Sequence, residues 1–227
     1  TMFSWGADWK DENNNVLGIV NSPEAVDSVQ FYRDLYECCQ APGLSNAFFA
    51  EVNDAFISGQ AAMVMNYFAF LPALANPEVN PYAEGTDFFV NPAGPDGHQH
   101  AALGGQGMSI ISYIDDAHKD ASYDFIRWFA QEDIQAEWAR LGGYTCNTNV
   151  LNTQEFLDAA PYNPAFAETM TFVKDFWNIP IYGELLTITQ QELGNFIVAG
   201  QGTAQEAMDN IAEQHDAILR DEGFISE

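Results

Sequence analysis

Basic residues are scarce in this sequence. Seven of them (Lys10, Arg33, Lys119, Arg127, Arg140, Lys174 and Arg220) stand against 33 acids, a formal charge of −26 over 227 residues. Such a chain repels phosphate backbones and anionic lipid surfaces, which excludes nucleic acid as a partner. The acidity reads as a solubility device, with attraction of a cationic ligand as the alternative. Long apolar runs are missing too. The longest, Phe68 to Ala75, is interrupted by Pro72 and falls well short of the roughly 18–20 residues of a membrane span, so no direct membrane insertion is expected. No basic segment followed by an apolar one opens the chain, so no secretion signal is read there.

Cysteine is rare: Cys38, Cys39 and Cys146. An odd count gives no disulfide framework, and no Cys-x-x-Cys pair offers a zinc site. Cys38 and Cys39 adjoin on an expected helix and so point in different directions. All three read as small buried apolar residues, with a bridge from Cys146 to either neighbour left open. Catalytic signatures are absent as well. There is no Gly-x-Ser-x-Gly elbow, no His-Glu-x-x-His helix and no phosphate loop with its lysine. Gly104-Gly105-Gln106-Gly107 precedes an expected strand, whereas a dinucleotide loop follows one. His98 and His100 flank Gln99 in a turn with no evident third metal ligand. No cofactor is implied. Carboxylates are so numerous that a glycosidase pair at about 5–10 Å stays open as an alternative without being indicated.

Aromatics, by contrast, are generous, at 14% of the chain within 47% apolar content. That suffices for one large domain, or one domain and part of another. Ser22 caps a helix through Cys39, with Pro23 at its first position and Ala25, Val29, Tyr32 and Tyr36 at helical spacing. Further helices are expected over 51–57, 68–75, 116–130, 132–141, 166–176, 184–199 and 203–220. Gly142-Gly143 stops the fifth of these eight, Gly194 loosens the seventh, and Thr203 with Glu206 forms a capping box on the last. Strands are expected over 61–66, 86–90 and 108–112. Strands spaced by helices indicate an α/β fold.

Rings recur beside polar groups at element ends: Trp5-Gly6-Ala7-Asp8-Trp9, Asn66-Tyr67-Phe68, and Trp177-Asn178-Ile179-Pro180-Ile181-Tyr182-Gly183-Glu184. Each ring alone could be core. Together they suit sugar recognition, in which flat apolar faces stack on pyranose C–H groups and polar groups bond hydroxyls.

At these residues the chain resembles the family 1 extracellular solute-binding proteins of ABC sugar importers, related in fold to maltose-binding protein. Four blocks carry the resemblance: Phe56 to Asn66, which contains Gly59-Gln60-Ala61-Ala62-Met63; Ala102 to Ile110; Ala121 to Gly143; and Phe176-Trp177-Asn178-Ile179-Pro180 through Met208. The resemblance implies a periplasmic-binding-protein fold of type II. It places residues 1–101 and 162–227 in a C-lobe and 102–161 in an excursion into an N-lobe. The family's first half lies outside it, and the exposed face of that N-lobe part would need a covering segment. It further implies a non-enzymatic protein, periplasmic or tethered outside the cell. Such a protein closes two lobes on a solute and presents it to a membrane permease. The implied ligand residues are Trp5, Asp8, Tyr67, Phe68, Gly104, Gly105, Gln106, Trp177, Tyr182 and Glu184. Ala7 replaces a family glycine, and Leu186 falls near a family stacking aromatic. The latter implies a monosaccharide, polyol or small glycoside rather than a long oligosaccharide.

Overall fold

A computed structural model describes residues 1–175 and 177–225. In chain order its helices are α1 (Pro23–Cys39), α2 (Phe49–Ile57), α3 (Leu71–Ala75), α4 (Asp116–Phe129), α5 (Glu132–Arg140), α6 (Thr148–Leu151), α7 (Gln154–Ala159), α8 (Asn163–Thr169), α9 (Tyr182–Leu193) and α10 (Ala204–Asp221). Two short strands, β1 (Ala101–Ala102) and β2 (Val173–Lys174), pair in a two-stranded sheet. The chain divides into two compact units: residues 1–63, 91–102 and 174–227, and residues 64–90 and 103–173.

The first unit is organised around α10. Its buried positions Ala204, Ala207, Met208, Ile211, Ala212, His215 and Leu219 recur every three or four residues and line one face. Its start is fixed twice over: Thr203 Oγ1 accepts from the Glu206 amide, and the Glu206 carboxylate accepts from the Thr203 amide at 2.9 Å. Against this face pack Val16, Val20, Ala25, Val29, Leu185 and Phe196. Each fully buried aliphatic stabilises the fold by about 1.5–3 kcal/mol. In α1, Ser22 Oγ accepts from the Ala25 amide and Ala25 and Val29 are buried, while Tyr32 stays exposed. After α9 the backbone widens into a π turn over Gly194–Val198, where Arg33 lies 4.7 Å from the Phe196 ring centre. Gly94 holds the 91–102 segment against the start of the chain; a Cβ there would fall 1.7 Å from the Ser4 carbonyl oxygen.

The second unit buries far less. Ala139, Val150, Leu151 and Phe156 form its core, with Leu157, Phe166, Ala167 and Met170 packed against it. No residue of α4 is buried. Its rings Phe125, Trp128 and Phe129 contact one another and reach Trp138 of α5 instead.

Several expectations are corrected. Among the described residues, 61–66, 86–90 and 108–112 are not strands. Apolar composition alone does not make a strand; an extended segment becomes one only by joining a ladder. The helix expected over 166–176 ends at Thr169 and gives way to β2, and its last position, Phe176, lies outside the described residues. Cys38 and Cys39 do not point apart. They are bonded to each other at the last two positions of α1, where no following turn holds the backbone. Neither they nor Cys146, a free thiol, are buried. Residues 64–90 group with 103–173 because Phe68 packs on Phe166 and Phe88 on Tyr162. No helix among the described residues is long and apolar enough to cross a membrane.

Candidate functional site

One concavity lies within the first unit. A single 3-10 turn over Met2–Trp5 buries Met2 and ends at Gly6 in the left-handed conformation (φ 79°). The chain then runs through Asp8 to Glu12, and β2 brings Lys174, Asp175 and Trp177 to the same place. Phe3, Asp8, Lys10, Asp11, Glu12, Lys174, Asp175 and Trp177 line a cavity of about 270 Å³. That is near the roughly 300 Å³ lower end of small-molecule pockets.

Its polar groups are held in place. Asp8 Oδ2 accepts from Lys174 Nζ at 2.6 Å, across 166 residues of sequence. Asp8 Oδ1 accepts from the Trp9 amide at 2.7 Å. The Lys174 ammonium also sits 4.3 Å from the Phe3 ring centre, a cation–π contact. Both partners remain more than a third exposed, so the pair contributes little stability. Its effect is to orient a carboxylate and an ammonium beside two rings. The Lys10 ammonium donates to Asn14 Oδ1. The Asp11 carboxylate accepts from the Asn15 side chain and from the Asn13 and Asn15 amides, all at 2.8 Å. These bonds, the Asn15 side chain's foremost, hold its carboxyl below the usual range.

Trp177 is anchored from behind. It packs against the core and meets His215 edge-on at 5.8 Å. His215 is 2% exposed. Its Nε2–H donates to the Leu185 carbonyl at 2.9 Å, and Nδ1 has no partner among the described residues. Burial pushes this imidazole down from its ordinary pKa, which favours the neutral ring.

Asp8 and Trp177 therefore share one cavity. Trp5 does not line it and packs on Phe31 at 5.2 Å. Tyr182 and Glu184 begin α9; Tyr182 is half-buried, and Glu184 is an exposed acid in the first turn, where the helix dipole favours it.

In the second unit, Tyr67 and Gly104 are in contact. A Cβ on Gly104 would fall 2.6 Å from Tyr67 Cε1, so only glycine admits the ring there. Tyr67 is 38% exposed. Gly105 has φ 147° and Gln106 is exposed. Phe68 instead joins a cluster of rings. It lies 5.1 Å from Phe166 and 6.4 Å from Tyr144, and its carbonyl accepts from the Tyr144 hydroxyl. Burial, then Tyr162, pushes the Tyr144 phenol up. A hollow of about 70 Å³ beside Tyr144, Tyr162 and Asn163 is well below the roughly 300 Å³ of small-molecule pockets.

The sequence reading missed Phe3, Lys10, Asp11, Glu12, Lys174 and Asp175. One signal was available: Lys10 and Lys174 are two of only seven bases, and each lies close to a tryptophan in sequence. His98 is exposed and His100 packs on Phe3 at 6.2 Å. No cluster of His, Cys, Asp or Glu among the described residues could hold a metal.

The fold is that of periplasmic sugar-binding proteins. The maltose-bound MalE3 of T. maritima superposes with a TM-score of 0.83 at 24% identity, over 96% of this chain and 56% of that one. A ribitol-bound ABC transporter solute-binding protein of Agrobacterium radiobacter gives 0.76 at 22% over 96% and 55%. The sugar-binding MalE of Xanthomonas citri gives 0.76 at 19% over 98% and 55%. The chain thus spans just over half the length of these structures. No curated protein sequence is matched. A family model, bacterial extracellular solute-binding protein, matches residues 1–165. The chain belongs to that family.

Proposed function

We propose that this protein is the substrate-binding component of an ABC importer and captures a small carbohydrate: a monosaccharide, a polyol or a small glycoside. It would deliver that solute to a membrane permease from the periplasm or the outer cell surface. One observation supports this reading above the rest. Two rings, Phe3 and Trp177, share a cavity with an oriented carboxylate and ammonium, Asp8 and Lys174. Rings supply stacking faces, and the charged pair supplies an acceptor and a donor for adjacent hydroxyls. Neighbouring folds that hold maltose, ribitol and D-mannitol point to the same class of solute. Neither a carboxylate-pair hydrolase nor a binder of betaine or polyamines is favoured by the family or by these neighbours.

A thermal-shift panel tests the reading. Maltose, ribitol, mannitol and glucose form one arm; betaine and putrescine form the other. At ligand concentrations about 100-fold above Kd, binding adds about 2.7 kcal/mol and raises Tm by several degrees. A rise in the second arm alone would refute the carbohydrate reading.

A further inference from the structure

We infer that the cavity sorts carbohydrates by charge, admitting amino sugars best, neutral sugars next and acidic sugars least. The inference rests on the carbohydrate reading above; it concerns the selectivity of the ring-lined cavity.

Four carboxylates and two ammonium groups line that cavity, which leaves a net charge of −2 on its wall. The two cations are already engaged. Lys174 is bonded to Asp8 and lies over the Phe3 ring, so its charge is largely cancelled where it stands. Lys10 reaches Asn14, a neutral partner that holds the ammonium in one place. On the acidic side, Asp11 is fixed by three N–H donors that favour its ionised form. Glu12 is exposed on the same wall. An incoming carboxylate or phosphate would face these acids, and the ammonium nearest the rings would have to leave Asp8 to meet it. An incoming amine meets these carboxylates directly and needs no such exchange. Fields inside a concave wall of low polarisability are focused, so an imbalance of two charges is felt by the solute. The charge of the whole chain, −26, has the same sign and reinforces it at long range.

A matched series tests this: D-glucosamine, D-glucose and D-glucuronate, titrated calorimetrically near pH 6.5, where the amine is protonated and the uronate ionised. At low ionic strength glucosamine should bind at least about threefold more tightly than glucose, and glucuronate at least about tenfold more weakly. At roughly 0.5 M salt both gaps should shrink, because screening acts on the charged members only. Glu12→Gln should narrow the glucosamine–glucose gap and Lys10→Met should widen it. A glucuronate affinity equal to that of glucose overturns the inference, as do gaps that neither salt nor Glu12→Gln alters. In those cases glucose still binds and the carbohydrate reading stands. If no neutral sugar or polyol binds, glucose, maltose, ribitol and mannitol included, that reading fails and the inference fails with it.

Discussion

The two units differ most in how much they bury. The first draws fifteen buried apolar residues into one cluster, from Met2 near the start of the chain to Ile225 near its end. The second gathers four and leaves Phe125, Trp128 and Trp138 about half exposed. Both have amphipathic helices, so apolar periodicity alone does not decide burial. What decides it is how much of the face a neighbouring element covers. The apolar face of α10 meets α1 and α9, whereas no residue of α4 is buried. The cavity with Phe3, Asp8, Lys174 and Trp177 lies in the better-packed unit. Its carboxylate and ammonium are oriented by the Asp8–Lys174 bond, and groups already oriented bind with less ordering cost than mobile ones.

The comparison can be broken by core truncation. Met208 is fully buried, and Met208→Ala should lower the unfolding free energy by about 2–5 kcal/mol in urea denaturation. Leu157 is only partly buried against the small core, and Leu157→Ala should cost less than half as much. Equal losses would show that the two units are packed alike. Native-state hydrogen exchange sharpens the same point. Amides of α4 should exchange through local opening well before those of α10, which should open only with the whole unit. Comparable protection in the two helices would remove the distinction.

A smaller effect concerns pH. The imidazole of His215 is held below its ordinary pKa of 6.5 by burial, so the unfolded chain takes up this proton at a higher pH than the folded one. Its stabilising neutrality is complete above about pH 6.5 and is lost as pH falls below that value toward the folded pKa. The first unit should therefore lose stability over that window, and His215→Gln should flatten the slope. A wild-type slope that persists in the variant would assign it to other groups.

Helix ends were the most legible feature of the sequence. Ser22-Pro23 and Thr203 with Glu206 each mark a start through a bond that is local in sequence, and the structure makes those bonds. Strands were not legible. Ala61 to Asn66 has the composition of a strand, but pairing is settled by a partner elsewhere. The cavity divided along the same line. Asp8 and Trp177 stand out because a ring adjoins a polar group in sequence. Lys174 does not, because its role depends on meeting Asp8 from 166 residues away. The vicinal bond between Cys38 and Cys39 was hidden by the expectation of regular helix geometry to the last residue.

The central claim is that solute binds in the Phe3–Asp8–Lys174–Trp177 cavity. Asp8→Asn keeps the side chain's size and removes its charge, and so tests this without opening the core. Calorimetric titration with whichever of glucose, maltose, ribitol or mannitol binds the wild type should show affinity reduced about tenfold or more, with the melting temperature changed little. An Asp8→Asn protein that binds the same solute as tightly as the wild type would contradict the account.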